Sequence, residues 1–141
     1  MFSHCSSLTS LDVSKFDTSN CEDISGMFQS CEKLTSLDLS KFNTKQVYFM
    51  SAVFFDCISL KHLDLSRFDT SKTVDMTYIF YNCSSLTSLD LKNFDTSQIR
   101  DMSNMFGECR NLQYLDISNF DTSQATTMKM MFTNCSSLTS L

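Results

Sequence analysis

The chain has 141 residues, 42% of them hydrophobic, with a net charge of -5 and 11 Lys and Arg scattered along it. That apolar content excludes a disordered chain, and the scattered bases argue against a nucleic-acid binder. No apolar run approaches the roughly 18 residues of a membrane span, and no signal-peptide pattern opens these residues. Two Gly and no Pro leave the corners to be turned by Asp, Asn, Ser and Thr.

An internal repeat organises the whole chain. Cys5, Cys31, Cys57, Cys83, Cys109 and Cys135 recur every 26 residues, with no insertion or deletion. The repeats are Met1–Gly26, Met27–Ala52, Val53–Tyr78, Ile79–Asn104 and Met105–Met130, and Met131–Leu141 begins a sixth. The chain is thus a single repeat array over 1–141.

The elements of one repeat follow in chain order. In Ile79–Asn104, Leu86, Leu89 and Leu91 give the spacing LxxLxL, which puts Leu89 and Leu91 on one face of a short strand. Phe94 follows as another inward residue. Asp95-Thr96-Ser97-Gln98 is a polar corner, and Asp with Gln three residues on is a helix-start signature. Ile99, Met102, Phe106 and Cys109 then follow at helical spacing. The expected fold class is an α/β repeat solenoid, leucine-rich-repeat-like, with one short parallel strand and one short helix per 26-residue coil. A strand of about five residues and a helix of about ten are too short to stand alone, so stacking must bury them.

The segment from Leu34 to Phe42, LTSLDLSKF, is close to the leucine-rich repeat core, with Phe where that family usually has Asn or Cys. The fuller pattern of Met27-Phe28, Cys31, Leu34 to Thr44, and the Phe-Asp-Thr-Ser runs from Phe68 and Phe94, resembles the BspA-like bacterial surface protein repeats found in mycoplasma lipoproteins and other cell-surface proteins. The resemblance covers the whole chain. It implies an extracellular or cell-surface location and a part in adhesion or protein binding. Val53 and Ile79 depart from it at the leading Met, and Asn43 departs at the corner Asp.

Candidate functional residues lie partly in register and partly where the copies disagree. The in-register Cys are expected to be buried free thiols acting as small apolar fillers. Cys21 is expected in the core with them. Asp12, Asp38, Asp64, Asp90 and Asp116 form an acidic stripe on the open sheet face, either a cation- or basic-ligand-binding row or a solvated ladder eased by Lys15, Lys41 and Arg67. Asp17, Asn43, Asp69, Asp95 and Asp121 are expected to accept backbone N–H bonds at the corner. In the middle repeats, outward positions on the helix side carry Tyr48, Phe49, Phe55, Val74, Tyr78 and Tyr81, where other repeats have Glu22, Asp23, Ser3, Arg100, Asp101 and Gly107. Gathered aromatics of that kind suggest an interface. His62 and Tyr114 interrupt the Ser column of Ser10, Ser36 and Ser88 on the sheet face and are further candidate contacts.

No nucleophile is paired with a placed base and no Gly-rich phosphate loop occurs, so an enzyme is not expected; neither is a cofactor or a metal. The expected function is a non-enzymatic module for protein binding or adhesion. The alternative is a structural spacer or assembly subunit packed permanently on other chains. The partner is then a protein or further copies of the array, without nucleic acid and without a direct membrane span in this segment. Neither end carries a polar cap, which a free-standing stack requires, so an excerpt of a longer array is expected, or ends that pack on other chains.

Overall fold

The computed structural model describes every residue, Met1–Leu141. The chain winds as stacked coils, one per repeat. Equivalent Phe rings form one continuous pile, Phe2, Phe28, Phe54, Phe80, Phe106 and Phe132, with centroids 5.5 to 5.9 Å apart and planes within 12° of parallel. Around it a single core collects the Leu, Met, Ile and Cys columns, and Phe28, Phe54, Phe80 and Phe106 have no exposed surface.

The expected helix is absent. The only regular elements are two parallel strands, β1 (Ser88–Leu89) and β2 (Tyr114–Leu115), paired Ser88 to Tyr114 and Leu89 to Leu115. This overturns the α/β solenoid with a helix in each coil. The reason lies in where the backbone donors go. An α-helix needs each N–H to bond the carbonyl four residues back. Here Met50, Ala52, Phe54 and Asp56 donate instead to the carbonyls of Asp75, Thr77, Ile79 and Tyr81 in the next coil, at 2.9 to 3.0 Å. The intervening N–H groups of Phe55, Cys57 and Leu60 close turns onto Ala52, Phe54 and Cys57, three residues back. The segment is a run of tight turns tied sideways to its neighbours. Turns repeated every three or four residues imitate helical spacing, so Ile99, Met102, Phe106 and Cys109 all point inward and are buried without a helix.

Two backbone positions in every coil hold this path. The first is left-handed at Gly26, Ala52, Tyr78, Asn104 and Met130, and the second at His4, Ser30, Asp56, Asn82, Glu108 and Asn134, with φ between 54° and 63°. All of these positions except Ala52 and Asn104 are the third residue of a turn closed by the following N–H, as in Met76–Ile79 and Phe80–Cys83. A positive φ at that place is the type II signature. Left-handed backbone four residues apart is incompatible with a helix. For a residue other than Gly it costs roughly 1–2 kcal/mol, offset here by the ladder to the next coil.

The expectation of one parallel strand in each coil is also overturned: a strand forms in only two coils, two residues long in each. On the LxxLxL side, N–H to carbonyl links between coils are few: Lys61 to Thr35, Gln113 to Thr87, and Thr139 to Gln113, at 3.1 to 3.2 Å. The stripe carboxylates cut the strands short. Each accepts the N–H two residues on, as Asp64 does from Ser66 at 2.9 Å and Asp90 from Lys92 at 3.1 Å. These Asx turns bend the backbone out of the extended path.

The polar corner is a second tie between coils. Thr70 Oγ1 donates to the Asp95 carbonyl at 3.0 Å and accepts the Asp95 N–H at 2.7 Å. Thr18 and Thr44 do the same for Asn43 and Asp69. One hydroxyl thus satisfies both backbone groups of a residue in the next coil, and these Thr side chains are buried. Asp95 accepts the Ser97 N–H at 2.9 Å, so the helix-start signature is an Asx turn. The corner acids and Asn43 accept backbone N–H groups as expected.

Candidate functional site

The turn run carries the middle-repeat aromatics outward. Phe55 stacks on Tyr81 at 5.1 Å, and Tyr78 meets the edge of Tyr81 at 5.6 Å and tilts against Phe55 at 6.1 Å. The cluster is set by register, because Phe55 and Tyr81 are equivalents in adjacent coils. The next equivalent is Gly107, and a β-carbon there would lie 2.9 Å from the Tyr81 ring, so Gly107 makes room for the ring to lie flat on backbone. Phe49 is 45% exposed and Tyr78 39%; Tyr48 and Val74 are also exposed, whereas Phe55 and Tyr81 are half-buried. Lys72 Nζ sits 5.9 Å from the Tyr48 ring centre and donates to Gln46 Oε1 at 2.7 Å. Burial raises the Tyr81 hydroxyl above its ordinary pKa, with Glu108 and Asp56 adding to the shift.

The acidic stripe is exposed along its length. Hydrogen bonds from Ser14, Ser40, Ser66, Lys92 and Ser118 hold Asp12, Asp38, Asp64, Asp90 and Asp116 below the usual carboxylate range. Each carboxylate therefore has a structural task at its turn. Only Asp90 forms an ion pair, with Lys92 Nζ at 2.8 Å; Lys41 and Arg67 form none. No three His, Cys, Asp or Glu side chains come together as a metal site would require.

His62 and Tyr114 are exposed on the LxxLxL side, beside separate shallow clefts. His62 lies with Lys61, Ser85, Thr87 and Asn111, and Tyr114 with Asp90, Lys92, Asp116 and Asn119. The structure does not bring either residue into the aromatic cluster.

The cysteines are free, and the in-register thiols do more than fill space. Each from Cys31 to Cys135 donates to the carbonyl of a Phe in the preceding coil, from Cys31 to Phe2 at 3.3 Å through to Cys135 to Phe106 at 3.0 Å. Burial pushes Cys57 and Cys109 up to about 12 and Cys83 well above its ordinary value. A thiol that stays protonated is a poor nucleophile. Cys21 is half-buried against the core and Cys5 is exposed.

The largest cleft, of about 660 Å³, lies between Ser40–Asn43 and Ser66–Asp69 and is also lined by Asn93. Lys41 and Arg67 line it. They stand 26 residues apart, at equivalent positions of adjacent coils, three residues after the stripe acids Asp38 and Asp64.

A chain of coils tied by repeated side-chain and backbone ladders, with one core running through them, is a repeat protein. Residues 1–90 and 84–140 match the family model described as Mycoplasma protein of unknown function, DUF285, and the chain belongs to that family. No curated protein and no solved structure matches it. No helix is long and apolar enough to cross a membrane.

Proposed function

We propose that the chain is a non-enzymatic binding module of a cell-surface or extracellular protein, and that the aromatic cluster is its contact for a protein partner. The observation that carries this is the exposure of Tyr48, Phe49, Val74 and Tyr78 beside Phe55 and Tyr81 on one wall. Tyr and Phe are enriched in protein contacts, and other coils carry Glu22 and Arg100 in place of Tyr48 and Val74, Asp23 and Asp101 in place of Phe49, and Ser3 and Gln29 in place of Phe55 and Tyr81. The likeness to BspA-like surface repeats supports adhesion as the setting. The rigid repeat backbone serves as a display, and the residues that differ between copies serve as the recognised surface.

The test uses substitutions that install what other coils carry at the same places: Phe49→Asp, Tyr78→Asn and Tyr81→Gln together. Binding to immobilised extracellular-matrix proteins is measured by surface plasmon resonance. The wild type binds at least one and the triple variant loses it, with an unchanged circular dichroism spectrum. Equal binding by both, or binding by neither, removes the reading. The same pair in sedimentation velocity tests the spacer or assembly alternative, which the exposed rings also favour. Self-association that disappears in the variant would make the cluster a permanent contact between copies.

A further inference from the structure

Lys15, Lys41, Arg67, Asn93 and Asn119 are equivalent residues in five successive coils. The column changes chemistry halfway, and its geometry changes with it. Asn119 folds back on the preceding coil, where its Nδ2 donates to the Leu91 carbonyl at 3.1 Å and the Phe94 carbonyl at 2.8 Å. Asn93 Nδ2 likewise donates to the Ser66 carbonyl at 3.0 Å. A short amide here is tied to the backbone of the preceding coil; Asn93 lies at the edge of the large cleft, and Asn119 lines a smaller one of about 280 Å³. Lys41 and Arg67 make no such bond and no ion pair, and at their level the space stays open as the cleft of about 660 Å³.

The cleft has a defined chemistry. Its floor is the backs of Phe42 and Phe68, which are themselves buried, so no ring is presented for stacking. Its walls offer the hydroxyls of Ser40 and Ser66 and the amide of Asn43. Asn43 stands where the other coils have the corner Asp, which removes a negative charge at this point. Asp69 is the one acid on the wall, and its Oδ1 is taken by the Ser71 N–H at 3.0 Å and hydroxyl at 2.7 Å. The repeat 27–52 is also the one full repeat in which bases, Lys33, Lys41 and Lys45, outnumber acids, Glu32 and Asp38. Two unpaired cations held in adjacent coils, about 5 Å apart along the backbone stack, repel one another until an anion lies between them.

We infer that the Lys41–Arg67 cleft is a binding site for an acidic glycan, with sulfate or carboxylate groups against the two cations and sugar hydroxyls against Ser40, Ser66 and Asn43. Arg presents a planar fork suited to a two-oxygen anion, and Lys a mobile point charge. The absence of an exposed ring in the cleft disfavours nucleic acid, which single-strand binders hold by stacking. The site lies apart from the aromatic cluster, so its failure leaves the protein-contact reading standing.

Isothermal titration of the full chain with a heparin-derived hexasaccharide and with a hyaluronan hexasaccharide separates sulfate from carboxylate recognition. Binding of at least one is expected, weakening as salt rises and falling roughly tenfold or more in Lys41→Ala/Arg67→Ala. It is retained in Lys129→Ala, which removes a cation elsewhere, and in the conservative Lys41→Arg. Melting curves show that the variants are folded. Binding of neither sugar, undiminished binding by the double variant, or equally tight binding of a thymidine oligonucleotide through the same residues overturns the assignment.

Discussion

The two walls of each coil are built on different principles. On the turn-run wall, every second N–H reaches the next coil, and buried Thr hydroxyls extend the same tie to the corner. On the LxxLxL wall, coil-to-coil backbone bonds are few and the strands are two residues long. The LxxLxL spacing predicts a parallel strand in each coil on the second wall. Cohesion between coils comes instead from the irregular-looking wall, and both walls share the Phe pile between them. Pairing of backbone groups, rather than the presence of a named element, therefore locates the stiff part of this molecule.

The largest effect should come from the shared pile. Phe54→Ala removes a ring with no exposed surface that stacks on two others, and the expected loss is about 3–5 kcal/mol in urea unfolding. Because each coil rests on its neighbours, the transition should also broaden or split as the array divides at that coil. A single transition with an unchanged midpoint would contradict the central role of the pile.

The comparison between walls is sharpened by Thr70→Val, which keeps the shape and deletes the hydroxyl. It leaves the Asp95 N–H and carbonyl without their partner, at a cost of about 1–3 kcal/mol. Ser88→Ala on the other wall removes an exposed side chain and should stay within about 0.5 kcal/mol. If the two midpoints shift equally, the asymmetry described above is not energetic.

The smallest effect is a gain. Ala52 holds φ at 55° in the turn run while its N–H bonds the Thr77 carbonyl at 2.9 Å. Ala52→Gly removes the β-carbon penalty and keeps the bond. Stability should rise by up to about 1 kcal/mol, since the added freedom of the unfolded chain cancels part of the relief. The mirror substitution, Gly26→Ala, should lose a similar amount, with its β-carbon 3.1 Å from Gln29 Oε1. A loss in the first or no change in the second would show that the turns do not require left-handed backbone.

The site was legible in part, and for definable reasons. Phe49 and Tyr78 stand out because they put a ring in columns where no other coil has one, and they are exposed. The stacking of Phe55 on Tyr81 follows from register alone. The place of Gly107 under Tyr81 does not, since it depends on which way the ring falls. The open cleft at Lys41 and Arg67 was illegible, because a Lys and an Asn at equivalent positions differ on paper only in charge. That one folds back and the other leaves a gap depends on side-chain reach against the neighbouring coil.

The sequence by itself determined the 26-residue register, the inward columns of Leu, Phe, Met and Cys, and the Asx corners, because each is carried by residue type at a fixed offset. Only the tertiary structure decided the backbone between those points. A spacing of three and four places side chains inward whether the chain is a helix or a run of turns. The choice rests on hydrogen bonds to a coil some 25 residues away, and no local pattern records a partner at that distance. The turn run therefore lacks the helix its spacing predicts, and its left-handed residues are held by the stack rather than by their own preference.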